Sequence, residues 1–150
     1  VEQGGGVSRF SMVGVRPRLE VIARGDELEI LHHRPNGDES VVVEDRDPFD
    51  LLRGLAASWA PIRQVGAVTP PDTFRAGFVG FAGYDTARWA EPEKLAFASA
   101  PSDDRGLPDL HMGLYGRVLV FDHVGKTGHV VATESPVSYT HPTLPTIDSV

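Results

Sequence analysis

Apolar and polar residues alternate with a period near two through the first third of the chain. This is the pattern of strands with one wet face. Phe10 to Val15, Leu19 to Arg24 and Glu27 to His32 are short segments rich in Val, Ile, Leu and Phe, separated by Arg16-Pro17 and Gly25-Asp26. Leu19, Val21 and Ala23 alternate with Glu20, Ile22 and Arg24, and Leu28 and Ile30 with Glu27, Glu29 and Leu31. Antiparallel pairing follows, and Gly25-Asp26, with Gly first, suits a two-residue type II′ hairpin turn. Arg34 to Asp38 reads as a second turn, and Ser40 to Glu44 as the strand returning from it.

The period then changes. Asp47 is placed to cap a helix, Pro48 fits its first position, and Asp50 adds negative charge to the first turn. Leu51, Leu52, Leu55, Ala56 and Trp59 form one apolar stripe at helical spacing, and Ala60-Pro61 ends it. Gln64 to Thr73 reads as a loop. Phe74 to Phe81 is an apolar, glycine-rich strand, and Gly83 to Glu91 a short helix or turn. The stretch from Pro92 to Pro108 is polar and belongs on the surface. Leu110 to Phe121 and His129 to Thr133 read as two further strands joined by Gly125 to Gly128. Strands, one helix and more strands predict an α+β fold of antiparallel sheets with few helices, not a doubly wound one.

Composition narrows the function classes. The chain has 150 residues, a mean hydropathy of −0.15 and no cysteine, which excludes disulfides and thiolate chemistry. No apolar run approaches the roughly 20 residues needed to span a bilayer, so no membrane association is expected. A net charge of −7 and a pI of about 5.3 repel phosphate backbones, and no basic cluster interrupts the sequence; nucleic acid is not an expected partner. The location expected is cytoplasmic.

Three constellations invite chemistry. The glycines of Gly77 to Gly83 fit neither the dinucleotide fingerprint nor the phosphate loop, so they are expected to admit a close neighbouring strand. Asp85, Arg88 and Glu91 at helical spacing suit a salt bridge better than acid–base work. Six histidines show no metal-binding spacing; His32 and His33 are adjacent and point to opposite strand faces, and Asp122-His123 ends a strand. No nucleophile elbow is present.

Several segments together resemble the large subunit of anthranilate synthase, component I. Ser8-Arg9-Phe10-Ser11-Met12-Val13-Gly14 is similar to that family's GRYSFIG strand, and Asp47 to Leu52 to its DPLDLL helix start. Phe74 to Glu91 resembles its GGLVGYFGYDTVRYFE segment, Leu107-Pro108-Asp109 its LPD element, and Val120 to His123 its VFDH element. They occur in family order across residues 1–133, the stretch assigned to the family's amino-terminal domain. The family's LLES element would lie just before Val1, so the domain is expected to be truncated at its start. The aminodeoxychorismate synthase large subunit, a homologue in folate synthesis, is an alternative, as is a non-catalytic amino-acid-binding module.

The resemblance implies an enzyme of tryptophan biosynthesis that converts chorismate and ammonia to anthranilate and pyruvate. It implies Mg²⁺ bound in a carboxy-terminal chorismate-binding domain outside this chain, and a glutamine amidotransferase subunit supplying ammonia. No catalytic or metal residue is therefore expected here, and no cofactor in this piece. The amino-terminal region contributes to a tryptophan feedback pocket, for which Arg9, Phe10 and Ser11 are the candidates. Beyond Thr133 the resemblance stops. Val137 to Thr146 resembles the translated read-through of a sequencing adapter, with a natural Pro/Thr-rich linker as the alternative, so residues 134–150 are expected to be an unstructured tail.

Overall fold

Strand β2 (Leu19–Arg24) is the axis of the structure. In the computed structural model, which describes residues 9–44, 46–58, 74 and 76–132, β2 is hydrogen-bonded on both sides. It pairs antiparallel with β3 (Glu27–His32), from Leu19 opposite His32 to Arg24 opposite Glu27. Its other edge takes β6 (Leu110–Tyr115), with Leu19 opposite Leu114 and Ala23 opposite Leu110. β4 (Glu39–Val43) and β5 (Gly77–Ala82) complete a five-stranded sheet of order β4-β3-β2-β6-β5. A second sheet has order β1-β7-β8, from β1 (Phe10–Gly14), β7 (Arg117–Asp122) and β8 (Thr127–Ala132).

The expected hairpin forms with the expected ends. The turn between Arg24 and Glu27 holds Gly25 at φ 57°, the left-handed conformation that Gly adopts without steric cost. Alternation decides which face is dry. Leu19, Val21, Ala23, Leu28, Ile30, Val43, Leu110 and Leu114 are all buried on one face of the larger sheet.

Helix α1 (Pro48–Ser58) covers that face through Leu51, with Phe49, Leu52 and Leu55 packed at its edge. Its start is capped as the sequence predicts: Asp47 Oδ1 accepts from the Phe49 and Asp50 amides at 2.6 and 3.3 Å. Ala56, placed on the apolar stripe by spacing, is exposed. The predicted stop at Ala60-Pro61, Trp59, the loop from 64 to 73 and the tail from 134 lie outside the described residues.

Two differences from the predicted elements follow from tertiary packing. The single strand expected from Leu110 to Phe121 is two strands, β6 and β7, in different sheets, with Gly116 between them. β8 starts at Thr127, inside the expected connector, and forms a hairpin with β7. Gly83 to Glu91 resolves into a 3-10 turn (Tyr84–Thr86) and the four-residue helix α2 (Ala87–Ala90).

The glycine-rich strand has the structural reason anticipated for it. A Cβ on Gly80 would lie 1.9 Å from the His111 carbonyl oxygen and 2.8 Å from Met112 Cα. Backbone cannot yield as a side-chain tip can, so β5 and β6 can pair here only around a residue without a Cβ. Gly80→Ala is accordingly expected to lower stability by ~1–3 kcal/mol or more, in the range of overpacked cores. Urea unfolding followed by circular dichroism measures it, and an unchanged midpoint would show that the strands separate freely.

Candidate functional site

Of the residues expected to serve a binding pocket, Phe10 and Ser11 lie on β1 and Arg9 immediately before it, and β7 determines their surroundings. The two strands pair from Phe10 opposite Asp122 to Gly14 opposite Val118. Arg9 reaches Asp122 with two hydrogen bonds, Nε to Oδ1 at 3.2 Å and Nη2 to Oδ2 at 2.8 Å. The guanidinium lies 4.8 Å from the centroid of the Phe10 ring, a cation–π arrangement. Ser11 Oγ lies 2.7 Å from His123 Nε2. The three candidates are thus brought together with Asp122 and His123, the pair that sequence reading treated as a strand terminus.

Asp122 is buried, and its carboxylate accepts from the Val124 and Gly125 amides as well, at 2.9 and 3.0 Å. The Arg9 hydrogen bonds, followed by the Gly125 amide, hold its carboxyl well below the usual carboxylate range. One side chain therefore closes the β7–β8 turn and secures the start of β1.

An apolar cavity of about 340 Å³ lies beside β1, lined by Met12, Gly14, Phe74, Val79, Tyr115 and Val118. Phe10, Met12 and Gly14 share one face of β1, because side chains alternate along a strand. Tyr115 is seated by missing side chains: a Cβ on Gly14 would lie 2.7 Å from its ring, and one on Gly113 3.0 Å. Tyr115, Val79 and Met12 are not among the sequence candidates, because the space for the Tyr115 ring comes in part from Gly14, on a strand remote in sequence.

The other motif residues are structural ties. Asp109 Oδ2 accepts from the Gly25 amide at 2.7 Å, its amide donates to the Ala23 carbonyl at 2.8 Å, and its carbonyl accepts from the Gly83 amide at 2.6 Å. Arg88 donates to Asp85 at 2.9 Å and reaches the Ala96 carbonyl at 3.3 Å, while Glu91 pairs with Lys94 instead. A chain of titratable groups crosses the other face of the larger sheet. His33 Nε2 lies 2.6 Å from Glu20 Oε1, its Nδ1 lies 3.1 Å from Asp38, and His111 bonds the second oxygen of Glu20. Burial pushes Glu20 up, but the His33 and His111 hydrogen bonds outweigh it, and the net shift is downward. His33 is raised, chiefly by Glu20. Among the described residues no group of three His, Cys, Asp or Glu is arranged to hold a metal.

Two antiparallel sheets, with one helix over the larger, define an α+β segment with a pocket where they meet. No family model matches it. The chain is 40% identical over 134 residues to "Anthranilate synthase alpha subunit 1, chloroplastic" of Oryza sativa subsp. japonica, covering 87% of this chain and 22% of that protein. The Arabidopsis thaliana protein of the same name is 42% identical over 125 residues, 83% of this chain and 20% of that protein. Anthranilate synthase component 1 of Acetivibrio thermocellus is 31% identical over 132 residues, 87% of this chain and 24% of that protein. The crystal structure of anthranilate synthase component I from Streptococcus pneumoniae TIGR4 superposes with a TM-score of 0.59 at 27% identity, over 90% of this chain and 26% of that one. The chain is therefore homologous to a segment of the anthranilate synthase large subunit, as its motifs implied, and it spans about a fifth of the length of the curated relatives it matches.

Two pH effects of opposite sign follow. Asp122 is depressed in the folded state, so its contribution is complete above the ordinary carboxylate value of about 4 and is lost as pH falls below it. Asp122→Asn is expected to lower the urea midpoint at pH 7 and to lose less on acidification to pH 3; equal acid sensitivity would remove Asp122 from the account. His33 is raised, so its contribution is complete below about pH 6.5 and is lost as pH rises through its folded value. In His33→Gln, the decline in thermal midpoint between pH 6 and 8 should flatten.

Proposed function

We propose that this chain is the amino-terminal, regulatory and structural part of an anthranilate synthase component I, without a catalytic centre of its own. The observation that carries this reading is the 40% identity to the rice alpha subunit over 87% of the chain, confined to 22% of that protein. In this reading the complete enzyme is a lyase of tryptophan biosynthesis, converting chorismate and ammonia to anthranilate and pyruvate. A glutamine amidotransferase subunit supplies the ammonia. Mg²⁺ and chorismate belong to the carboxy-terminal domain, where the metal would act as a Lewis acid. A cytoplasmic location is part of the same proposal; the plant relatives are chloroplastic by name, and no described helix is long and apolar enough to cross a membrane.

Tryptophan is the feedback ligand in this reading, with its indole in the cavity of Met12, Gly14, Val79 and Tyr115. About 340 Å³ suits a small aromatic ligand, and the face of β1 that carries Phe10 borders it. Arg9 and Ser11 act by holding β1 against Asp122 and His123. The opposite face of the smaller sheet supports a longer chain: Val13, Phe121 and Val130 are 48, 41 and 81% exposed, an apolar surface that a further domain would cover.

A chimaera in which residues 9–132 replace the matching segment of the Streptococcus pneumoniae enzyme is expected to form anthranilate from chorismate, ammonia and Mg²⁺. The 150-residue chain alone is expected to form none above a no-protein control. Anthranilate fluorescence reads both. Product from the chain alone, or a folded but inactive chimaera, overturns the reading.

A further inference from the structure

We propose that a second cavity, at the crossing between the two sheets, binds a small organic dianion, a phosphate monoester or a dicarboxylate. The chain passes between the sheets at Val15–Arg18, joining β1 to β2, and at Gly116, joining β6 to β7. Both crossings line a cavity of about 620 Å³, together with the turn at Arg34-Pro35 and the end of α1. Arg16, Arg18, Arg34 and Arg117 line it along with His32 and His33, over a floor of Leu19, Leu55 and Leu114, and among the described residues no Asp or Glu lines it. In a chain of net charge −7, such a lining is a local inversion of sign.

Some of these cations are already engaged. Arg34 pairs with Glu39 at 2.9 Å, and His33 with Glu20 and Asp38. Arg18 is fixed by its backbone, its amide donating to the Leu114 carbonyl at 2.8 Å and its carbonyl accepting from the His33 amide at 2.9 Å. Arg16 and Arg117, one at each crossing, have no carboxylate at ion-pair distance among the described residues. Arg16 also holds φ at 52°, a left-handed conformation uncommon for a residue with a Cβ. Such strain persists where the surroundings impose it, and it concentrates at ligand clamps.

Two guanidiniums without carboxylates match the charge of a dianion and offer paired N–H donors to its oxygens. The volume lies within the roughly 300–1,000 Å³ of small-molecule sites, and the leucine floor suits a short carbon skeleton. Burial, with the nearby Arg34 charge, lowers the His32 imidazole from its ordinary value, so at neutral pH it can both donate and accept. A ligand held from Arg16 and Arg117 at once would brace one sheet against the other.

The test titrates the 150-residue chain with glycerol 3-phosphate and, separately, with succinate by isothermal calorimetry, each against matched chloride. Saturable binding of either, with a rise in thermal midpoint, is expected, and the tighter of the two identifies the source of the dianion. Arg16→Gly with Arg117→Gln is expected to weaken binding by about tenfold or more. Glycine adopts the φ of residue 16 without strain, so this variant should fold at least as well. Arg105→Gln, at an exposed arginine outside the cavity, should bind like the parent. Binding no better than chloride, or equal losses in both variants, overturns the proposal. So does tighter binding of hexaglutamate than of either small dianion, which would make the cavity a groove for an acidic protein segment.

Discussion

Strand β2 meets β6 only after the chain has closed a loop containing a hairpin, a helix and a further strand. The pairing of Leu19 with Leu114 and Ala23 with Leu110 is the contact on which the rest is hung. The smaller sheet repeats this arrangement, with Phe10 opposite Asp122. Each doubling of loop length adds only about 0.6 kcal/mol to the cost of closure, so the long connection is thermodynamically tolerable. Such pairing is slow to find, however, because the entropy of closure precedes any contact that rewards it. What makes it worth closing is the dry face: Val21, Ala23 and Leu110 are completely buried, and α1 lies over the same surface.

That dependence gives the family-like motifs their physical meaning. Asp109 ties the β2–β3 turn and the end of β5 to the start of β6. Asp122 ties Arg9 and the β7–β8 turn to the end of β7. Each is a short acidic side chain at a strand end that takes up backbone amides or a guanidinium the ladder leaves without partners. Gly80 belongs to the same logic in reverse, since it is the omission of a side chain that lets β5 reach β6.

The elements that were legible in the sequence are those whose cause is local. The β2–β3 hairpin was readable because alternation and a Gly-first turn agree, and the start of α1 because Asp47-Pro48 carries both cap and first position. The break at Gly116 was not, because Leu110 to Phe121 keeps its alternation while the chain leaves one sheet for another; only packing against a distant partner makes two strands of one pattern. The candidate site divides the same way. Arg9, Phe10 and Ser11 were found by motif, yet their partners lie 113 and 112 residues away for Asp122 and His123, beyond any spacing rule. Tyr115 owes its place to Gly14 across the sheets, and the arginine cavity to two crossings far apart in sequence.

Both cavities lie where the two sheets meet, and this bears on how a ligand in a non-catalytic segment can matter. A packed core such as that beneath α1 resists displacement, because neighbouring side chains interdigitate without voids. The space between the sheets holds the two cavities and the Tyr115 ring set against Gly14. Strand alternation then supplies a route outward. Met12 and Gly14 face the apolar cavity, while Val13 between them lies in a row with the half-buried Leu119 and the exposed Val130 on the outer side of the smaller sheet. In the proposed regulatory reading, a ligand that shifts β1 displaces Val13, the β1 member of that apolar row, against its neighbours on β7 and β8. The signal passes to whatever covers the outer face through the thickness of a single strand, and it needs no path through the core.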